Sequence, residues 1–311
     1  MDHSFAGYKA VLAATDFSDH SAAALARAVW VAQQSCQRLM VAHVASDLRK
    51  AIHQTSYRSR IEFLEGNEEH FQRELRHESD EKLKREVARF ASAGIEIKFE
   101  TLLGEPSVEL THSVQREGYD LVVAGTRGHS GLKRLVLGST AKRLIHNCPA
   151  SIWIVKDNDV RPLANILAAV DMSDVSGRAL SEAIWMARQS GAQLHILHVI
   201  TTAGLNADLL ESKVASSAGK TLRELIENEV TEQMQQFLAP LSLDAQQTTQ
   251  HLRWGAPASE TVHLATEIQA DLIVMGTVGR RGVTGLLLGN TAETVLTYSE
   301  CDVLAVKPAS P

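Results

Sequence analysis

A chain of 311 residues, 44% hydrophobic and 22% charged with a formal net charge of -6, is long enough for two domains and too apolar to stay disordered. Its acidic balance excludes a general nucleic-acid binder, whose phosphate-facing surface would be basic. No apolar run reaches the ~20 residues that span a bilayer. The N-terminal MDHSFAGYKAVLAATDF has no basic stretch followed by a long apolar one, and the three cysteines, Cys36, Cys148 and Cys301, stand in no metal spacing, so a cytoplasmic protein without a membrane partner is expected.

In chain order, residues 10–14 form an apolar run ending at Thr15-Asp16 and read as a first strand. Ser18 or Asp19 can cap the helix that follows, which carries Ala23, Leu25, Ala26, Val29 and Trp30 at helical spacing. Residues 39–44 read as a second strand. From about 47 to 93 the chain is densely charged and mostly helical in pattern, and 95–101 read as a third strand. Pro106 suits the first turn of a helix through Gln115. Residues 121–124 are a continuous apolar run of the kind buried on both faces, 135–147 a helix, and 152–155 a last strand. Strands alternating with helices predict a parallel sheet with right-handed crossovers, and ligands in such sheets bind beyond the carboxyl ends of the strands.

The chain then repeats itself. KAVLAATDFSDHSAAALARAVWVAQQS aligns with ANILAAVDMSDVSGRALSEAIWMARQS, placing Asp16 on Asp171, His43 on His198 and Trp30 on Trp185, 155 residues apart. Further on, DLVVAGTRG falls on DLIVMGTVG at an offset of 151, so the first copy is four residues longer in its middle. The seam, residues 157–163, is short and polar with one proline, which predicts closely packed halves rather than tethered ones. Trp30 and Trp185 read as core residues. The final strands, SIWIVK and DVLAVK, are candidates for pairing across the halves.

After the fourth strand comes GTRGHSGLKRLVLGST, residues 125–140. Gly125, Gly128 and Gly131 leave backbone N–H groups unobstructed, and Gly138, Ser139 and Thr140 sit near a helical start, where amides and dipole favour phosphate. Asp16 can accept from ribose hydroxyls or an adenine amine across the crevice. No GxxxxGK[ST] occurs, and the first strand–helix turn is TDFSDHS rather than GxGxxG, so neither a Walker loop nor a dinucleotide fingerprint is present. Taken alone, scattered glycines equally serve turns.

The pattern G-x2-G-x9-G-[S/T] at Gly125, Gly128, Gly138 and Ser139, with ATDFSDHS and VAHV upstream, resembles the universal stress protein family. The resemblance covers both halves apart from the middle helices and is of the tandem-domain type. It implies an α/β fold of two tandem Rossmann-like (adenine nucleotide alpha hydrolase-like) domains, residues 1–156 and 163–311, each a five-stranded parallel sheet flanked by helices. It implies ATP with Mg2+, adenine and ribose near Asp16, Val44, Ala124 and Gly125, and phosphates on Gly128, Gly138, Ser139 and Thr140. In the second copy Asp171, Val199, Met275, Gly276, Gly279 and Gly289 match, but Asn290 replaces the hydroxyl residue. The family's domains associate through the final strand, so a pseudo-dimer inside one chain is expected. Pairing of two chains into a homodimer is left open.

Other residues are given bland readings. His43 and His198 recur inside apolar strands with no partner carboxylate, a structural pattern rather than a catalytic one. His70, Glu74 and His77 share a helix face dense in charge and read as solvated. Arg127, Lys133 and Arg134, and Arg280 and Arg281 in the second copy, either neutralise phosphates or are solvated loop residues. No general base for hydrolysis is evident. The expectation is therefore a cytoplasmic stress-response protein that binds ATP as a signalling module and acts on a protein partner. The alternatives are a slow ATPase or nucleotidyl transferase, and a binding module for a metal or metabolite.

Overall fold

The computed structural model of the protein describes residues 5–35, 38–45, 68–126, 137–201, 204, 206–214, 220–279 and 288–308. In the first half, strands β1 (Ala10–Thr15), β2 (Arg38–Ala45), β3 (Ile97–Leu103), β4 (Leu121–Gly125) and β5 (Ser151–Val155) alternate with helices α1 (Asp19–Ser35), α2 (Glu68–Ala88), α3 (Pro106–Glu117) and α4 (Ser139–Asn147). The second half repeats this as β6 (Asn165–Ala169), α5 (Asp174–Ser190), β7 (Gln193–Ile200), a single turn α6 (Ala207–Leu210), α7 (Leu222–Leu238), β8 (Thr248–Trp254), α8 (Pro257–Glu267), β9 (Leu272–Gly276), α9 (Asn290–Tyr298) and β10 (Asp302–Val306). Among the described residues no helix is long and apolar enough to cross a membrane.

Local signals set the boundaries. Ser18 caps α1, its Oγ accepting from the Ser21 N–H at 3.3 Å, and Ser173 does the same for α5 through Ser176. Pro106 opens α3, and Gly118 ends it at φ 70, where a side chain would be strained. Asp120 receives the backbone N–H groups of Lys9 and Ala10 at 2.8 and 3.0 Å, tying the start of β1 to the start of β4. Asp271 repeats this with Ala164 and Asn165 at 2.7 and 2.9 Å. Two expected boundaries shift. The third strand begins at Ile97 rather than 95, and α4 begins at Ser139 rather than 135, because Gly138 stays extended and donates to the Thr126 carbonyl at 2.8 Å.

Each half is a five-stranded parallel sheet, ordered β3-β2-β1-β4-β5 and β8-β7-β6-β9-β10. The two sheets join through their final strands, the pairing expected from SIWIVK and DVLAVK. β5 and β10 pair antiparallel, Trp153 opposite Leu304, and make one ten-stranded sheet. Both strands are buried throughout, so neither edge meets water. One hydrophobic cluster fills each face of the sheet and runs through both halves.

The seam is nearly symmetric. Lys156 reaches across to the carbonyls of Leu296 and Ser299 at 2.8 and 2.6 Å, at the end of α9. Its counterpart Lys307, 3% exposed, reaches the Ile145 carbonyl at the end of α4, and burial pulls its pKa down to about 8. Each cation thus completes the other half's helix C-terminus. The symmetry breaks at Arg27 and Glu182, which occupy equivalent positions. Arg27 pairs with Asp302 at 3.3 Å. Glu182 instead accepts from the Tyr8 hydroxyl, with Ser151 at 3.5 Å.

Candidate functional site

The sharp turn after β1 comes first. Asp16 Oδ1 accepts from the Ser18 N–H at 3.1 Å and the Ser18 hydroxyl at 2.6 Å. Phe17 between them is held at φ 66, and its counterpart Met172 at φ 61. Left-handed backbone at a bulky residue costs on the order of 1–3 kcal/mol and persists only where the surroundings enforce it. Here Thr15 Oγ1 accepts the Phe17 N–H at 3.0 Å, and the His43 ring lies against Phe17 with centroids 4.3 Å apart. His43 Nδ1 meets the Thr15 carbonyl at 2.9 Å, and His198 meets Val170 at the same distance. The recurring histidines therefore anchor the turn. Burial lowers the pKa of His43, with the Thr15 contact opposing. Glu86 of α2 accepts from Thr15 Oγ1 at 3.0 Å, and burial raises its pKa.

The second component is the start of α4. Its N-cap is Gly138, with φ -59 and ψ 153 and no side chain to cap the first turn. The amides of Ser139 and Thr140 are the first of a nine-residue helix, the groups a phosphate meets at a helix N-terminus. Gly125 is glycine for a different reason. A Cβ there would lie 2.9 Å from the backbone of His20, so the start of α1 can sit on the end of β4 only if residue 125 has no side chain.

These parts surround one cavity of about 310 Å3 beyond the carboxyl ends of β1, β2 and β4, where the strand order reverses. Asp16, Val44, Ala124, Gly125, Gly138, Ser139 and Thr140 all line it, seven of the eight residues expected in the first half. The eighth, Gly128, lies outside the described residues, as do Gly131, Arg127, Lys133, Arg134, Arg280 and Arg281. The sequence reading missed Pro106 and Leu110 of α3, which packs on β2 and lines the cavity with them. Their only signal is helical spacing on α3, which marks a buried face without saying what it faces. The volume is at the lower end of the ~300–1,000 Å3 of small-molecule sites.

In the second half, Asp171 Oδ1 takes the Ser173 N–H at 3.1 Å and the Ser173 hydroxyl at 2.5 Å. Gly289 donates to the Thr277 carbonyl at 2.8 Å and leads into α9, whose first residue is Asn290. Met275 and Gly276 end β9 and Val199 lies near the end of β7, so the expected residues of this half share the carboxyl end of its sheet. Two differences stand out. A Cβ on Gly279 would meet Asp171 Oδ2 at 2.8 Å, so the chain leaving β9 leans on the carboxylate itself. The first turn of α9 carries Glu293 where α4 has Lys142, and these equivalent side chains pair with each other at 2.8 Å.

A larger cavity, about 800 Å3, opens along the seam. Most of its charged lining is engaged within the protein. Arg27 pairs with Asp302, Arg161 with Asp157, and Asp271 with the backbone of 164 and 165. Besides Lys156, held at the end of α9, the remaining charged residues are Asp159 and Glu300, exposed carboxylates that offer a phosphate no cation.

Residues 7–156 and 163–307 each match the Universal stress protein family. Universal stress protein E of Photorhabdus laumondii is 24% identical over 313 residues, covering 97% of this chain and 96% of that protein. The protein of the same name from Escherichia coli strain K12 is 25% identical over 228 residues, 70% of this chain and 71% of its own. A solved universal stress protein from Archaeoglobus fulgidus superposes with a TM-score of 0.66 at 24% identity, covering 96% of this chain and 98% of that one, which speaks for the fold alone.

Proposed function

This chain belongs to the universal stress protein family, and on that premise we propose that its first half binds an adenine nucleotide, ATP with Mg2+, as a cytoplasmic stress-response module. The observation that carries the reading is the convergence of seven of the eight first-half residues on one cavity that joins an acidic turn to an uncapped helix N-terminus. Asp16 would hold the ribose, Val44, Leu110 and Ala124 would flank the base, and Gly138, Ser139 and Thr140 would take the phosphates. Mg2+ would neutralise phosphate charge there. Lys142, in the first turn of α4, would add a cation near those phosphates.

Binding rather than turnover is favoured. Among the described residues, the titratable groups lining the cavity are Asp16 and His43. Asp16 is engaged by Ser18 and His43 by the Thr15 carbonyl, so neither is poised to activate a water at the phosphates. A nucleotide drawing on Lys142 would compete with Glu293 for it, and this links occupancy of the first half to its contact with the second.

The test is direct. Freshly purified protein is denatured, its nucleotide identified by anion-exchange chromatography, and Mg-ATP binding titrated by calorimetry beside Gly138→Val. The backbone at Gly138 is extended, a conformation any residue adopts, and circular dichroism checks that the variant folds before the loss of binding is read as a side chain beside the amides. Nucleotide in the wild type, lost in the variant, supports the reading. No nucleotide and no binding on adding Mg-ATP overturns it. Phosphate release by the wild type that stops in the variant would support the ATPase or transferase alternative.

A further inference from the structure

His195 on β7 and His251 on β8 lie on neighbouring parallel strands, with His251 opposite Leu197, so the two histidines are diagonal neighbours on one face of the sheet. Their rings are nearly parallel, 28° apart with centroids at 5.3 Å, and His195 Nδ1 is 3.0 Å from His251 Nε2. Both residues are half-buried. We propose that this pair is a binding site for a divalent transition-metal ion, of the Zn2+, Ni2+ or Cu2+ class.

The geometry carries the inference. A contact between two imidazole nitrogens at this distance requires a single shared proton, with one nitrogen donating and the other offering its lone pair. Metal–imidazole bonds are about 2.0–2.1 Å, so an ion bound to both nitrogens at their present separation would subtend roughly a right angle, the cis angle of tetragonal and octahedral sites. Opening the pair to about 3.4 Å by ring rotation gives the tetrahedral angle zinc prefers. The ion takes the place of the shared proton, which passes through solvent to the other nitrogen of the same ring, so that both imidazoles ligate in the neutral form and water completes the coordination. Among the described residues no three His, Cys, Asp or Glu side chains converge, so the site is a two-nitrogen chelate.

Burial lowers the pKa of both rings and favours the neutral form that ligates metal. His195 and Arg253 push His251 further down, while Glu267, held by Arg253 at 2.6 Å, opposes them. The fold does not need the pair. In the first half the equivalent positions are Met40 and Glu100, and β2 and β3 pair in the same register, Ala42 opposite Glu100. The site is a property of this half alone.

Zn2+ alone is titrated into the full chain by calorimetry, and Cu2+ binding is followed by electron paramagnetic resonance, with His195→Gln, His251→Gln and His70→Gln compared. Glutamine keeps a donor and an acceptor, so the strand pair survives, and circular dichroism checks this. His70 is an exposed helix histidine paired with Glu74, and it controls for casual surface binding. The expected result is one site per chain whose Cu2+ signal shows two nitrogen ligands. Its affinity should fall at least tenfold in either strand variant and hold in the helix variant. A wild-type signal with one nitrogen or none, or affinity unchanged in either strand variant, overturns the proposal.

Discussion

The two halves share a fold and a strand order, yet they treat the carboxyl end of the sheet differently. In the first half a cavity opens between Asp16 and an uncapped α4, with Ser139 and Thr140 at its start and Lys142 one turn on. In the second half the residues after β9 press on Asp171, the helix begins with Asn290, and Glu293 stands where Lys142 stood. A duplicated scaffold tolerates this because strand register and helix packing depend on the apolar positions, while ligand chemistry depends on a few residues at element ends. The seam teaches the same lesson. Lys156 and Lys307 keep the symmetric contact, whereas Arg27 and Glu182 have diverged in charge and each found a different partner.

The divergence at the seam can be broken first, with the largest effect. Asp302 is 2% exposed and holds Arg27, the Trp153 indole N–H at 3.1 Å and the Lys156 N–H at 2.9 Å. The Arg27 Nε lacks a well-aligned hydrogen bond, so its contact with Asp302 is chiefly Coulombic. Asp302→Ala leaves a buried guanidinium unpaired and should cost about 3–5 kcal/mol in urea unfolding. Ser151→Ala, at the equivalent position, removes one 3.5 Å contact and should cost less than about 1 kcal/mol. Equal losses would sink the asymmetry.

Next comes pH. Burial, offset in part by the Tyr8 hydroxyl, raises the Glu182 carboxyl from its ordinary 4.5 to about 7. The folded protein keeps a proton that the unfolded chain gives up, so stability falls as pH rises from 4.5 to about 7 and is flat beyond. The full drop is about 3 kcal/mol. Glu182→Gln, which retains both hydrogen-bonding partners, should flatten that slope in denaturant melts. A slope unchanged in the variant would assign it to other groups.

The sites separate at a smaller scale. Gly138→Val should weaken Mg-ATP binding at least tenfold, about 1.4 kcal/mol. Gly289→Val, in the same extended conformation, should leave the tight site unchanged. If both variants lose the same affinity, the halves bind alike. The smallest effect is expected at the exposed pair between them. Glu293→Lys should change stability by less than about 1 kcal/mol. It should also strengthen any nucleotide binding in the second half, read as a second step in the Mg-ATP titration. A single unchanged step would mean that charge at this position does not separate the halves.

Much of this was legible in the residues. The continuous apolar runs of β4 and β9 could only be central strands, because no polar position leaves them a wet face. Ser18, Pro106 and the repeated aspartates announced their turns by chemistry that acts within a few residues. Of the seven lining residues, Asp16, Gly125, Gly138, Ser139 and Thr140 were legible in the strand-end and glycine pattern, while Val44 and Ala124 came from the resemblance to the family.

The remainder depended on contacts between residues far apart in the chain. Pro106 and Leu110 came to line the cavity only when α3 packed on β2. Gly125, which reads as loop freedom, is required by the approach of His20. The diagonal meeting of His195 and His251 follows from strand register, which no local pattern displays. By itself the sequence determined the duplication, the alternation of strands and helices and the residues at the strand ends, because periodicity and capping are local. Only the tertiary structure decided the register in which β5 and β10 meet, Trp153 opposite Leu304, and that Lys142 meets its own counterpart Glu293. Those outcomes turn on which surfaces exclude water together, and that is a property of the assembled chain.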